Sequence, residues 1–245
     1  MGERSDLNTY APPHVLKTRD WTIGLSLMVG TLIVSILFSN IVLVVLPSDV
    51  ELLASIGASG CGTLVVFTLY CHLTDRTWSF IDVPDVSVKA IGVGLGVGVV
   101  LAAVQAGLTL LFLSWGVGEP VGQLGSVVQM RGVAFLAAIT AINFLLIAPS
   151  EELLYRNGIQ KLLTRSHTTT FAVAGTSLIF AVPHLLSSLT FETVELLTIF
   201  VKVFVNGLGY GLAYVYWQRV DVSAVAHGTY NAIVFLFAYF HVFGA

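Results

Sequence analysis

Charge is scarce in this sequence. Only 10% of its 245 residues are Asp, Glu, Lys or Arg, 56% are hydrophobic and the mean hydropathy is +0.89, a balance outside the range of soluble globular domains. A basic excess is missing too, because 11 Lys and Arg stand against 14 Asp and Glu, for a net charge of −3. With no basic stripe interleaved with aromatics there is nothing to track a phosphate backbone, which excludes nucleic acid as a partner. Cysteine is nearly absent. Cys61 and Cys71 share one apolar stretch about three helical turns apart, too far to bond each other, and are read as packing residues without a redox or metal role. Internal repeats, low-complexity tracts, Pro/Ser-rich linkers and inverted hydropathy symmetry are also lacking. Their absence argues for one structural domain and against a transporter built from two halves.

Long apolar runs are what the sequence does have. A hydrocarbon core of about 30 Å takes about 20 helical residues at 1.5 Å each, and charge-free stretches of that length fall at roughly Trp21 to Leu46, Leu52 to Leu73, Ala90 to Trp115, Gly132 to Ser150, Thr168 to Leu186, Leu196 to Gln218 and Val222 to Phe243. The expected fold class is therefore all-α, a polytopic transmembrane helical bundle. It has seven spans, or eight if the sixth breaks near Asn206-Gly207. Residues 1–20 form a polar N-terminal segment, 21–131 the N-terminal membrane helices and 132–245 the remaining core. The first apolar run carries no small-residue cleavage pattern behind it and reads as a retained span, not a signal peptide. Gly92, Gly94, Gly96 and Gly98, and Gly207 with Gly211, supply spacing that lets helix backbones approach closely.

Basic residues gather on the cytoplasmic side of membrane proteins. Arg4, Lys17, Arg19, Arg76, Lys89, Arg156, Lys161, Arg165 and Arg219 fall on one side of a seven-span chain, Arg131 falls on the other, and Lys202 lies inside a span. This predicts a cytoplasmic N-terminus in a multi-pass protein of the cell membrane.

An ionisable group inside a bilayer costs about 2.5 to 3.5 kcal/mol on insertion scales and is a functional candidate by default. Three places qualify. In Pro149-Ser150-Glu151-Glu152-Leu153-Leu154-Tyr155-Arg156, the i, i+4 spacing puts Glu152 and Arg156 on one helix face as an ion pair. Glu151, rotated by about 100°, is the free carboxylate, and Pro149 loosens the turn before it. Phe180-Ala181-Val182-Pro183-His184 places an imidazole after a second proline. His227-Gly228-Thr229-Tyr230-Asn231 sets two side-chain donors one turn apart.

These three motifs in this order, Glu-Glu-x-x-x-Arg, Phe-x-x-x-His and His-x-x-x-Asn, resemble the type II CAAX prenyl protease and bacteriocin-processing membrane protein family over roughly Val133 to Phe237. The resemblance implies an intramembrane endopeptidase acting on a membrane-tethered or amphipathic peptide, prenylated at its C-terminus in eukaryotic members. Carried onto this sequence, Glu151 as general base with His184 would activate a water, while His227 and Asn231 would bind the oxyanion. Glu152, Arg156 and Phe180 would support the site. No serine or cysteine nucleophile is required, and Gly-x-Ser-x-Gly is absent. A metal-free site is favoured, since His-Glu-x-x-His is missing, and a zinc ion would have to use Glu151, His184 and His227. Partners would be membrane lipid and a peptide substrate. Two other functions fit less well: a non-catalytic scaffold or immunity protein of this fold, and a proton-linked transporter relaying through Glu151, His184 and Lys202. One expectation sits badly with the rest. In these spans Glu151 and His227 lie near one membrane face, whereas His184 comes out roughly 24 Å deep.

Overall fold

The structure, a computed structural model, describes residues 13–47, 50–83, 85, 87–117 and 123–243, and structural statements below concern these. Most of the N-terminal segment, residues 1–12, lies outside them, and with it Arg4. Among the described residues there is no strand, and seven helices are long and apolar enough to cross a membrane. Backbone polar groups have no water to bond in hydrocarbon, so only structures that satisfy them internally can span it, and helices do so within one segment.

Helix α1 (Pro13–Val45) and α2 (Glu51–Leu73) form an antiparallel pair. Their contact is polar and close: Ser35 Oγ donates to Ser59 O and Ser39 Oγ to Ser55 O, both at 3.0 Å, and a Cβ on Gly62 would stand 2.9 Å from Ser35 Cα. Without a hydrophobic drive between helices in lipid, such small-residue contacts carry the association. Helix α3 (Val88–Ser114) lies along α9 (Val220–Phe243) in the same manner. A Cβ on Gly94 would meet Val225 Cβ at 2.6 Å and one on Gly98 would meet Thr229 Cβ at 2.5 Å, whereas Gly92 and Gly96 face nothing within 4 Å. Helix α7 (Thr169–Leu186) pairs with α8 (Thr193–Trp217), with Gly207 against Ser177. A capping box of Glu192 and Glu195 starts α8, which then runs unbroken through Asn206-Gly207. The span count is therefore seven.

The fourth span is the departure from expectation. Helix α4 (Gln123–Ile142) bends at Gly132, where φ is +78°, a conformation that glycine reaches without Cβ strain. It passes into a π-helical turn (Asn143–Ile147), then α5 (Ala148–Glu152), a second π-helical segment (Leu153–Gln160) and the short α6 (Lys161–Leu163). The span ends at Leu163, not at the expected Ser150. Arg156, Asn157 and Gln160, which read as loop residues by their polarity, are each fully buried and bonded inside the protein. Leu154, Ile159 and Leu163 beside them are the centre of the main apolar core, with Phe67 and Tyr70 of α2, Ile179 and Phe180 of α7, and Tyr210 of α8. The apolar exterior, with Val44 85% and Leu145 80% exposed, is the face that lipid solvates.

This longer span removes the depth conflict between Glu151 and His184, and His227 meets both Glu151 and Phe180 in the structure. Measured from the shared end where the fourth span stops and α7 starts, Glu151 lies about twelve residues in, or about 18 Å, and His184 about fifteen residues in, or about 22 Å. Arg156 is correspondingly a buried helix residue and leaves the set of loop cations.

Candidate functional site

The backbone of the fourth span is widened on both sides of the two carboxylates. Pro149 has no N–H to offer the carbonyl one turn back, and the turn before it takes π geometry, with Ala148 N bonded to Asn143 O. Ser150 Oγ donates to Ile147 O at 2.9 Å, satisfying a carbonyl in that loosened turn. Beyond Glu152 the second π segment continues to Lys161 N, which bonds Arg156 O five residues back. Such wide turns inside helices concentrate at functional sites because they re-aim side chains.

Glu151 and Glu152 consequently enter different surroundings. Glu152 Oε2 accepts from Arg156 Nε at 3.0 Å, both side chains fully buried, and Glu152 Oε1 bonds His227 Nδ1 at 3.0 Å. The carboxylate held by Arg156 is an acceptor only, which assigns the shared proton to Nδ1 and turns the other ring nitrogen, Nε2, toward Glu151. Glu151 Oε2 lies 3.9 Å from that Nε2, too far for a direct hydrogen bond, and this buried oxygen has no hydrogen-bond partner. The expected ion pair and the expected free carboxylate are both present.

Phe180 occupies the centre of the site. Its ring meets His227 at 5.9 Å, His184 at 4.7 Å and Tyr155 at 5.0 Å between centroids, and Arg156 Cζ lies 5.3 Å above it. His184 is half-buried, with Nδ1 donating to Phe180 O at 2.9 Å, so its Nε2 is the available nitrogen. Phe180 thus touches both histidines, and no hydrogen bond joins His184 to Glu151. Asn231, one turn beyond His227, donates through Nδ2 to Asn143 Oδ1 at 2.9 Å, and Asn143 Nδ2 donates to Gly228 O at 2.9 Å. One Nδ2 proton of Asn231 remains for another acceptor.

Two residues of this arrangement escaped the sequence reading. Asn143, 2% exposed, was signalled by being a lone amide in an uncharged span. Tyr210 stacks on His227 with centroids 4.7 Å apart and planes 16° from parallel; its signal was the i, i+4 series Lys202, Asn206, Tyr210, Tyr214 along α8. Lys202 itself sits away from the site, donating to Thr109 Oγ1 at 2.7 Å.

A three-ligand metal centre would use Glu151, His184 and His227. Nδ1 of each histidine is bonded, to Glu152 and to Phe180 O, which leaves Nε2 as the ring nitrogen that could ligate. Among the described residues no three of His, Cys, Asp and Glu converge as a ligand set.

A cavity of about 520 Å³ beside these helices is lined by Trp78, Ile81, Val83, Phe144, Pro149, Leu153 and the start of α9. It flanks the site helix and contains none of the site residues.

Comparison with protein families matches residues 133–233 to the Rce1-like family, described as type II CAAX prenyl endopeptidase Rce1-like. Comparison with curated proteins and with solved structures finds no match. The matched stretch contains all three motifs and every residue of the site described above.

Proposed function

We propose, from the match of residues 133–233 to the Rce1-like family of type II CAAX prenyl endopeptidases, a protease family, that the chain is an intramembrane endopeptidase that hydrolyses membrane-tethered peptides with a Glu151-activated water. The observation that carries the reading is the contrast within one carboxylate pair. Glu152 is consumed by Arg156 and His227, whereas Glu151 keeps a buried oxygen unbonded beside an imidazole nitrogen.

A general base must come within about 2.6 to 3.2 Å of the atom whose proton it takes. Glu151 Oε2 can hold a water at that distance, and His184, through Nε2, is assigned as its second anchor on the strength of the family pattern. Attack of this water on the scissile carbonyl places its proton on Glu151 and negative charge on the carbonyl oxygen. The remaining Nδ2 proton of Asn231, and His227 where its Nε2 carries a proton taken from solvent before the attack and kept throughout, would donate to that oxyanion. Such donors contribute about 2.7 to 4 kcal/mol each in well-characterised hydrolases. Collapse expels the amine, which receives the proton back from Glu151. Glu152 and Arg156 fix the orientation of His227, and Phe180 keeps the two histidines apart.

The substrate would be a peptide anchored in or on the bilayer, carrying a C-terminal prenyl group if the family habit extends to this chain. The asymmetry of Lys and Arg supports a cytoplasmic N-terminus and a cytoplasmic Lys161 end of the site helix, and we assign the protein to the cell membrane.

The test is cleavage of a farnesylated C-terminal peptide and a library of membrane-anchored peptides by purified wild type and Glu151→Gln, with and without chelator. Cutting by wild type that survives chelator and is lost in Glu151→Gln supports the reading. Cutting lost in chelator contradicts the metal-free mechanism, and no cutting by wild type returns the chain to a peptide-binding scaffold.

A further inference from the structure

Asp82 lies on the loop between α2 and α3, about fifty residues before the stretch that matches the protease family, and no sequence motif points to it. Every polar group it has is bonded. Lys161 Nζ donates to both carboxylate oxygens at 2.8 and 2.9 Å, Tyr214 donates its hydroxyl to Oδ2, the Asp82 amide donates to Asn157 Oδ1 at 2.9 Å and its carbonyl accepts from Val220 N at 3.0 Å. The neighbouring Phe80 carbonyl is gripped as well, by Asn157 Nδ2 at 3.1 Å and Lys161 Nζ at 2.8 Å.

The helices tied here are the ones that build the site, and the tie points share faces with it. Asn157 follows Arg156 directly in the second π segment and sits one turn before Lys161. Tyr214 is one turn beyond Tyr210, the residue stacked on His227. Val220 precedes His227 by seven residues, two turns on one face of α9. Residues at i and i+4, or at i and i+7, lie one above another on a helix, so the ties at Tyr214 and Val220 fall on the faces of α8 and α9 that carry Tyr210 and His227, while Asn157 is the chain neighbour of Arg156.

A π-helical segment has poorer internal bonding than an α-helix and persists where its surroundings hold it. In Leu153–Gln160 the external holds are Arg156 to Glu152, Asn157 to the loop, and Gln160 Nε2 to Gly211 O at 3.0 Å. Asp82 and Lys161 close the end of this segment.

We propose that Asp82 is a positioning residue of the active site: by joining the second π segment, α8 and α9 at one point it sets the bond between Glu152 and His227, and so the placement of Nε2 opposite Glu151. The catalytic role of that placement rests on the protease reading; the geometric claim does not.

The test uses full-length protein labelled with 15N-histidine, in which the Nδ1 resonance of His227 reports its bond to Glu152 and is assigned by its loss in His227→Gln. The variants are Asp82→Asn and the doubly neutral Asp82→Asn/Lys161→Gln, which leaves no unpaired cation. Lys161 is 31% exposed and can reach solvent when released, so both variants are expected to fold and to melt within a few degrees of wild type. The expected result is a displaced His227 Nδ1 resonance in Asp82→Asn and, on any peptide that wild type cuts, a kcat lower by about tenfold with KM little changed. An unmoved resonance in variants that fold overturns the proposal, and so does loss of folding in both, which would make the knot purely structural. If wild type cuts no peptide, the resonance alone decides, so failure of the protease reading and failure of this proposal remain distinct.

Discussion

Glu151 and Glu152 are one peptide bond apart and differently partnered. A buried carboxylate is tolerable when paired and hydrogen-bonded, and breaking such a pair leaves an uncompensated charge at a cost of about 3 to 5 kcal/mol. Glu152→Gln is therefore expected to lower the melting temperature in detergent, and also to cut kcat, because an amide offers one acceptor oxygen where the carboxylate serves both Arg156 and His227. Thermal unfolding and turnover measured on one preparation check both; a stable variant with full activity would contradict the Glu152–His227 bond. Asn143→Leu removes the acceptor that orients Asn231. The expected effect is a lower kcat with little change in KM, because the orienting bond serves an oxyanion that exists only after attack. The motif residues were legible in the sequence because their relations are local, as in Glu152 to Arg156 at i, i+4. Asn143 and Asp82 were not, because their partners lie 75 to 132 residues away, and Tyr210 was not, because it meets His227 on the next helix; only folding brings these groups together.

Among the elements, the site helix shows where a hydropathy ruler fails. Counting charge-free residues ended the fourth span at Ser150, because Glu151 and Glu152 follow it and Arg156 and Lys161 come soon after. Arg156, Asn157, Gln160 and Lys161 instead each find a partner on another residue of the bundle, through Glu152, the Phe80–Asp82 backbone, Gly211 O and Asp82, and paired polar groups can be carried inside a membrane protein. Glycine spacing was read correctly as a packing device, but the sequence did not say which glycines pack. Gly98→Ala would drive a Cβ to 2.5 Å from Thr229 Cβ and 2.6 Å from Ala226 O, while Gly96→Ala meets nothing within 4 Å. Overpacking of this kind costs about 1 to 3 kcal/mol. Melting should therefore separate the two variants, with Gly98→Ala clearly destabilised and Gly96→Ala close to wild type; equal melting would place the α3–α9 contact elsewhere.

For the whole molecule, the all-helical membrane-spanning class was legible from composition alone, since lipid leaves a charge-poor chain few other solutions. Seven antiparallel spans put the loops holding Thr77 and Ser166 at one end of the bundle and Gly116 at the other. In a background without Cys61 and Cys71, Thr77→Cys and Ser166→Cys should react with an impermeant thiol reagent from the same side of sealed vesicles, and Gly116→Cys from the opposite side. Labelling of all three from one side would refute the seven-span arrangement. The bundle also explains how a buried site keeps its charges: Glu152 bonds both Arg156 and His227, and in the proposed reaction Glu151 is the group that would meet the water. The most direct measurement of that claim is the rate at which Glu151→Gln cleaves a peptide that the wild type cuts, with folding verified by melting. The account predicts no detectable cleavage by a variant that melts like wild type, and cleavage at a comparable rate would contradict it.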